Sequence, residues 1–170
     1  TTSQMLVESY IPGIRINHYQ ELLAAGYDLE DMGQKLMLGF IKQVFKDGYF
    51  HGDPHPGNLI IHEGKIFFID FGIMGHLEEG IRITLNDILT SFTSQDVDGM
   101  TRAVLAMTTS EKQVNMTQLG RDIERMMTRY GSINLGLLSL SDLVEDLLQI
   151  FQKHDLQADP GITILGKAAL

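Results

Sequence analysis

The feature that most constrains the fold of this chain is a loop rich in proline and glycine, residues 51–58, which reads HGDPHPGN. Before the loop, apolar residues recur at helical spacing from Asp28, a candidate N-cap, to Gly48, a candidate C-terminal stop. After it, two apolar runs flank Glu63-Gly64, which predicts a β-hairpin with a tight turn. A loop is therefore expected between a long helix and a hairpin.

The rest of the chain is predicted to be helical, apart from one strand at its start. Residues 5–11 form an apolar run closed by Pro12-Gly13, which is typical of a strand that ends in a turn. Periodicity predicts helices near 78–92, 95–108, 116–130 and 141–153. Their candidate caps are Ser94, Asn115 and Ser141, and Gly131 is a candidate stop. The expected fold class is mainly α with a small β-hairpin.

Composition narrows the class of protein. A chain of 170 residues with 44% hydrophobic residues can form one domain with a substantial core. Its net charge of -9 argues against nucleic acid as a partner, and the absence of cysteine excludes disulfides and favours an intracellular location. The chain starts without methionine and stops within an expected helix, so we interpret it as a fragment.

Three side chains with oxygen atoms lie on the loop and just after the hairpin. Asp53 and Asn58 lie on the loop, and Asp70 opens an Asp-Phe-Gly triplet after the hairpin. Mg²⁺ prefers hard oxygen ligands and keeps several waters, so Asn58 and Asp70 are candidate metal and ATP ligands. Asp53 is the candidate catalytic residue, because a carboxylate at this position can accept a proton from an attacking hydroxyl or orient a water. The alternative interpretation is an acidic turn in which Asp53 and Asn58 only cap backbone groups.

The spacing of these residues matches the protein-kinase signature H-R-D-L-x-x-x-N followed by D-F-G. The matching residues are His51, Asp53, Asn58, Asp70, Phe71 and Gly72. His51, Phe71 and Gly72 are expected to support the site structurally, and His55 is expected to fix the loop backbone by hydrogen bonds rather than to act as an acid or base.

The residues leading into the loop make a narrower resemblance. Residues 45–58, FKDGYFHGDPHPGN, are similar to the F-x-D-G-F-F-H-A-D-P-H-P-G-N of the UbiB/AarF (ADCK-type) atypical kinases, and residues 162–167 resemble a later segment of that family. The resemblance implies a protein-kinase-like C-lobe without its N-lobe. It divides the chain into hinge strand and linker (1–17), helical segment (18–50), catalytic loop, hairpin and D-F-G (51–72) and helical subdomain (73–170). Residues 6–13 then resemble the hinge, where Ser9 and Ile11 would bind adenine through their backbone.

The resemblance also implies a function for the full-length protein. The family acts as Mg²⁺-dependent ATPases or small-molecule kinases that support isoprenoid quinone (ubiquinone) biosynthesis, with isoprenoid lipids or quinone-biosynthesis proteins as partners and a cytoplasmic or membrane-peripheral location. No phosphate-binding loop or paired lysine is present in residues 1–170, so the fragment alone is expected to be a poor catalyst. The alternatives are an aminoglycoside- or choline-type phosphotransferase and a non-catalytic, nucleotide-sensing scaffold.

Two departures from ordinary protein kinases bear on the substrate. Gly52 replaces the arginine that reads a phosphorylated activation loop, and no Ala-Pro-Glu follows the D-F-G triplet. A general protein kinase is therefore not expected.

Several weaker signals have structural interpretations. Scattered histidines (His18, His62, His76 and His154) are interpreted as surface or loop residues without zinc-ligand spacing. Methionines at helical spacing (Met100, Met107, Met116, Met126 and Met127) are interpreted as core. The pair Glu145-Asp146 is interpreted as solvated charge.

Overall fold

The computed structural model describes residues 2, 4–5, 7–131 and 140–169, with the side chains of residues 140, 141 and 169 excepted. It is mainly helical with small antiparallel sheets, as expected from the sequence. The segment 162–167 falls within the last helix, whereas the residues 132–139 that precede the sixth helix lie outside the described part.

The hairpin is the centre of a three-stranded sheet. Strands β3 (Leu59–His62) and β4 (Lys65–Phe68) are joined by the predicted tight turn, in which Glu63 and Gly64 have φ angles of 48° and 71°. The short strand β1 (Ile14–Arg15) pairs antiparallel with β3 on the other side.

Two smaller, two-stranded sheets each pair strands that are far apart in the sequence. Strand β2 (Tyr49–His51), which leads into the loop, pairs with β5 (Met74–His76), which follows the Asp-Phe-Gly triplet. A Cβ atom on Gly75 would lie 2.0 Å from the ring of Phe50, so the buried ring requires glycine opposite it. A second pair joins β6 (Thr108–Thr109) to β7 (Gln157–Ala158).

The long helix before the loop begins and ends as predicted. Helix α2 (Leu29–Ile41) follows α1 (Tyr19–Ala24), and the Asp28 side chain caps it by accepting from the backbone N–H groups of residues 30 and 31. A π-helical segment, Lys42–Asp47, continues α2 and stops at Gly48, whose φ is 74°.

The predicted helices of the second half are present, with corrections at their ends. They are α3 (Glu79–Ser94), α4 (Val97–Ala106), α5 (Met116–Gly131), α6 (Leu140–Lys153) and α7 (Pro160–Ala169). The prediction of Ser94 as a cap is wrong, because Ser94 is the last residue of α3. Asp96 instead caps α4 by accepting from Gly99 N–H at 2.8 Å. Asn115 caps α5 as predicted, at 3.1 Å from Gln118 N. Ser141 falls inside α6, where its side chain lies outside the described part.

The predicted strand over residues 5–11 is wrong. Residues 7–13 carry no strand, and pairing begins only at Ile14. Pro12 has no N–H to donate to a ladder, and a Cβ atom on Gly13 would lie 2.5 Å from the carbonyl oxygen of Ile61. The chain therefore meets the hairpin at Gly13 and forms its strand immediately after it.

The main core lies among the helices of the second half. It joins Phe50 and Leu77 of the β2–β5 region to α4, α5 and α6. Four of the five methionines predicted as core are buried there, whereas Met116 is 52% exposed at the start of α5, so that part of the prediction is wrong. A separate small cluster of Leu22, Met32 and Ile61 holds α1 and α2 against the hairpin. In the described part of the chain, no helix has the length and apolar character needed to cross a bilayer.

Candidate active site

Asp53 follows β2 and is held by its backbone rather than by its carboxylate. Its N–H donates to Nδ1 of His51 at 3.2 Å, and its carbonyl oxygen accepts from Nδ2 of Asn58 at 3.1 Å. The side chain is 52% exposed, and its Oδ2 lies 3.9 Å from Nε2 of His55. The loop thus presents an open carboxylate on a fixed backbone.

Asn58 is buried at the end of a short 3₁₀ turn, Pro56–Asn58. Its backbone N–H donates to the carbonyl oxygen of His55 at 2.8 Å, and its side-chain Nδ2 donates to Asp53 as described above. The amide nitrogen is therefore turned toward the loop. Its Oδ1 accepts no hydrogen bond from the described residues, and is left available as an oxygen ligand.

Asp70 stands at the same end of the hairpin as Asn58. The ladder continues past the Leu59–Phe68 pair, because Ile69 N–H donates to the carbonyl oxygen of Asn58 at 2.9 Å. Asp70 comes next with a left-handed φ of 62°, and its Oδ1 accepts from Gly72 N–H at 3.2 Å. Aspartate tolerates this conformation because its carboxylate can bond to the backbone two residues on. The structure therefore places Asp70 directly after Ile69, which is bonded to Asn58, and Asn58 is in turn bonded to Asp53.

His51 joins the loop to the Asp-Phe-Gly triplet. Its ring is buried, and because Nδ1 accepts from Asp53 N–H, Nε2 carries the proton and donates to the carbonyl oxygen of Ile69 at 3.0 Å. The ring centroid lies 5.8 Å from that of Phe68 and 5.7 Å from that of Phe71, which is itself exposed. The ring therefore connects the loop to the segment before Asp70, and its supporting role in catalysis stays a prediction.

His55 acts on the loop backbone. Its Nδ1 accepts from Gly57 N–H at 3.0 Å and so caps the 3₁₀ turn that ends at Asn58. The ring therefore holds the loop backbone by a hydrogen bond, as expected from its position between two prolines.

Ser9 and Ile11 lie in the extended segment before β1. Ser9 is exposed and Ile11 is half-buried, with its carbonyl oxygen accepting from Gly13 N–H at 3.0 Å. Within the described residues no hydrogen bond connects either of them to the catalytic loop. Their expected part in adenine binding stays a prediction from the family resemblance.

Two residues that hold the loop were not predicted from the sequence. Gln43, in the π-helical segment, accepts from His51 N–H through Oε1 at 2.9 Å. Arg15, on β1, donates to the carbonyl oxygen of Gly57 at 3.4 Å. Neither residue belongs to a motif, and only the pairing of β1 with β3 and the wider turn of the π-helix place them beside the loop.

Gly52 is required by packing. A Cβ atom there would lie 2.7 Å from Cγ2 of Ile73 and 2.9 Å from Cγ2 of Ile164, and Gly52 N–H donates to the carbonyl oxygen of Ile73 at 2.9 Å. Ile164 belongs to α7, so the last helix packs directly against the catalytic loop. The arginine of ordinary protein kinases would not fit at this position.

The donor set fits Mg²⁺ rather than a metal held entirely by protein. Among the described residues, no three histidines or acidic residues converge to form a metal site. In the described residues of the loop and the triplet, the open oxygens are the carboxylate of Asp53, the amide oxygen of Asn58 and one carboxylate oxygen of Asp70, and the last two are the candidate metal ligands. Mg²⁺ is usually bound in this way, by one or two protein oxygens together with substrate phosphates and water.

The fold and this loop define a kinase-like domain, and comparison with known proteins makes the assignment specific. The chain belongs to the ABC1 atypical kinase-like family, whose domain model matches residues 1–104. This confirms the resemblance to the UbiB/AarF kinases.

Individual relatives extend the similarity beyond the domain model. The chain is 38% identical over 169 residues to an uncharacterized protein in the hydrogenase 1 5′ region of Clostridium pasteurianum, covering 99% of this chain and 32% of that protein. It is 36% identical over 110 residues to the chloroplastic protein Activity of BC1 Complex Kinase 8 of Arabidopsis thaliana, covering 63% and 14%. For Activity of BC1 Complex Kinase 7 of the same plant, identity is 28% over 167 residues, covering 97% and 24%. The chain thus spans a third or less of the length of these relatives.

Proposed function

We propose that this chain carries the catalytic loop of an Mg²⁺-dependent enzyme that hydrolyses ATP or transfers its terminal phosphoryl group to a small molecule or a lipid. The observation that supports the proposal most is the joint placement of Asp53, Asn58 and Asp70. Asn58 donates through Nδ2 to the carbonyl oxygen of Asp53, and Ile69, the residue before Asp70, donates to the carbonyl oxygen of Asn58, while side-chain oxygens of all three residues remain open. A turn that used these residues only as caps would have no need to leave those oxygens open.

Each residue has a distinct part in the proposed chemistry. Asn58 and Asp70 would hold Mg²⁺, which when bound neutralises charge on the phosphates of ATP. Asp53 would orient the attacking hydroxyl or water and accept its proton. His51 would keep Asp53 and the residue before Asp70 in register, because it is bonded to both segments. The nucleotide's adenine is assigned to the segment that contains Ser9 and Ile11.

The proposed acceptor is a small hydroxyl compound, a lipid head group or water. Two observations argue against a protein substrate. Residues 73–78 lead from the Asp-Phe-Gly triplet directly into α3, and half of them form β5, which leaves little chain to build a docking platform. The packing at Gly52 excludes the arginine on which control by activation-loop phosphorylation depends.

The wider role that we propose follows from the family. The full-length protein would support isoprenoid quinone biosynthesis, with isoprenoid lipids or other quinone-biosynthesis proteins as partners, at the periphery of a membrane. Two plant relatives carry the names Activity of BC1 Complex Kinase 7 and Activity of BC1 Complex Kinase 8, both described as chloroplastic. Lipid-stimulated ATP hydrolysis without labelling of peptides by radioactive ATP would support this role, whereas robust, Asp53-dependent labelling of many peptides would contradict it.

The metal assignment can be tested in the full-length protein by replacing Asp70 with Asn. The substitution keeps the size of the side chain but removes its charge, so Mg²⁺-dependent binding of a non-hydrolysable ATP analogue should weaken by about tenfold or more in calorimetry. Asp155→Asn is a matched control, because Asp155 also has a left-handed φ and an exposed carboxylate but lies after α6. Unchanged metal-dependent binding in the Asp70 variant would refute the assignment.

A further inference from the structure

A second charged site lies between α5 and α6, away from the catalytic loop. A cleft of about 270 Å³ separates the two helices, and none of the candidate catalytic residues lines it. Its polar lining consists of Asp122, Arg125, Arg129, Asp146, Gln149 and Lys153. All of these residues follow residue 104, where the match to the family's domain model ends.

The acceptor groups of the cleft are occupied by contacts within the protein. The side chain of Asp122 is only 7% exposed; its Oδ1 accepts from Arg125 at 2.7 Å, and its Oδ2 accepts from Lys153 at 2.7 Å and from His154 at 2.8 Å. These contacts, led by the hydrogen bond from Lys153, lower the pKa of Asp122 to about 2, so the carboxylate stays charged. Asp146 accepts from the Arg129 guanidinium and from the Tyr130 hydroxyl.

The donor groups of the cleft are only partly used. The side chains of Arg125, Arg129 and Lys153 are 68%, 65% and 52% exposed. A guanidinium carries five N–H groups and an ammonium three, and the hydrogen bonds within the described residues leave several of them without an acceptor. Three cationic side chains face two carboxylates, so the cleft is locally positive in a chain whose net charge is -9.

Bonded carboxylates beside partly free cationic donors indicate which kind of ligand the cleft can bind. A metal cation would meet side-chain cations and carboxylates that are already bonded, whereas a ligand rich in acceptor oxygens would meet free donors. The planar forks of two arginines, four residues apart on one helix, suit the oxygens of a phosphate group, and a lysine adds a point charge.

We propose that the α5–α6 cleft binds a phosphate-type oxyanion, either free phosphate or the phosphate of a lipid head group. Arg129 and Arg125 would donate paired hydrogen bonds from α5, and Lys153 would donate from the end of α6. The Asp122 and Asp146 carboxylates, 7% and 21% exposed, hold the guanidinium and ammonium groups at the cleft, and the remaining N–H donors of these groups would bind the ligand. The site is independent of the proposed phosphoryl transfer.

The first test is a titration of the 170-residue chain with inorganic phosphate, monitored by NMR of the backbone amides. It is done at low ionic strength, without Mg²⁺ or nucleotide. We expect saturable shifts in α5 and α6, and Arg129→Gln should weaken the affinity by about tenfold. Arg121→Gln is the matched control, because Arg121 is exposed on the same helix but does not line the cleft. Absence of shifts, or equal weakening by both substitutions, would overturn the proposal.

A second variant, Arg129→Lys, distinguishes loss of phosphate recognition from loss of the folded structure. Arg129→Lys keeps the positive charge and the contact with Asp146 but loses the fork, so it should bind phosphate more weakly than the native chain and more tightly than Arg129→Gln. Circular dichroism would establish that each variant is folded before its affinity is compared. Equal phosphate affinity in the lysine variant and the native chain would contradict recognition by the arginine fork.

The source of the phosphate group can be distinguished with vesicles. Arg129-dependent sedimentation with vesicles of phosphatidylcholine and phosphatidic acid, but not of phosphatidylcholine alone, would identify a lipid head group. Binding of free phosphate without such sedimentation would identify a soluble ligand. Failure of both arms would refute the site itself, while leaving the catalytic proposal untouched.

Discussion

The catalytic loop and the α5–α6 pair hold their aspartates in different ways. Asp53 is fixed by hydrogen bonds of its backbone, and its carboxylate is half exposed. Asp122 lies within a regular helix, and its buried carboxylate is bonded to three side chains. A carboxylate with open oxygens can serve a ligand, whereas one that is saturated by the protein contributes to stability. The number of open oxygens thus separates the two aspartates, and burial separates them in the same direction, since their side chains are 52% and 7% exposed.

The largest expected effect on stability is at Asp122. Replacing it with Ala would leave Arg125, Lys153 and the buried ring of His154 without their shared partner, and should lower the free energy of unfolding by about 3 kcal/mol. Denaturant unfolding of the complete chain would measure this loss. Asp31→Ala is the matched control, because the half-exposed Asp31 carboxylate pairs with exposed Lys35 within helix α2 and its loss should cost less than about 1 kcal/mol. Similar losses in both variants would remove the distinction drawn between saturated and open aspartates.

A somewhat smaller effect is expected at Gly52. The Cβ atom in Gly52→Ala would force Ile73 and Ile164 apart, and over-packing of this kind costs about 2 kcal/mol. Because the contact joins α7 to the catalytic loop, amide exchange should accelerate in both. Gly39→Ala in α2 is a control of opposite sign: its Cβ would meet no atom within 4 Å, and alanine favours a helix by up to about 1 kcal/mol. A stable Gly52 variant would show that α7 does not constrain the loop.

The sequence predicted those elements whose signals are local. Asp28 and Gly48 mark the ends of the long helix, and Glu63-Gly64 marks the hairpin turn, because capping and left-handed turns depend on a few adjacent residues. The short strand β5 was not predicted, since Met74-Gly75-His76 has no alternation and becomes a strand only by pairing with β2. The candidate site was predicted by motif spacing, whereas Arg15 and Gln43 reach it only through tertiary contacts.

The sequence did not reveal the interactions between α5 and α6. An aspartate followed three residues later by an arginine, as at Asp122 and Arg125, is typical of an exposed helix surface. His154 was interpreted as a surface or loop residue, but its side chain is 6% exposed and bonded to Asp122. Asp146, interpreted as solvated charge, is 21% exposed and bonded to Arg129 and Tyr130. Such contacts depend on the packing of two helices, and sequence periodicity alone does not contain their partners.

Acid should weaken the α5–α6 pair through Asp122. Its pKa in the folded chain is about 2, below the ordinary value of 3.8, so its contribution to stability is complete above pH 4 and is lost as the pH falls from 4 through 2. The contribution amounts to about 2 kcal/mol. The measurement is the stability of the native chain and of Asp122→Asn at pH 5 and at pH 2.5. The native chain should lose more stability on acidification than the variant, and parallel losses would contradict the assignment.

The smallest effect on stability is expected at Asp53, which gives the most direct comparison with the buried carboxylate of Asp122. The loop is held by the Asp53 backbone N–H and carbonyl groups, and these remain in Asp53→Ala. The carboxylate that is lost has only a distant contact, 3.9 Å from Nε2 of His55. The free energy of unfolding of the 170-residue chain should therefore change by no more than about 0.5 kcal/mol, as for an ordinary surface substitution.

The same substitution in the full-length protein should reduce ATP turnover by about a hundredfold or more, because the group that orients the attacking hydroxyl is gone. A loss of stability comparable to that of Asp122→Ala would mean that the Asp53 side chain supports the loop, and its open carboxylate would no longer be evidence for chemistry.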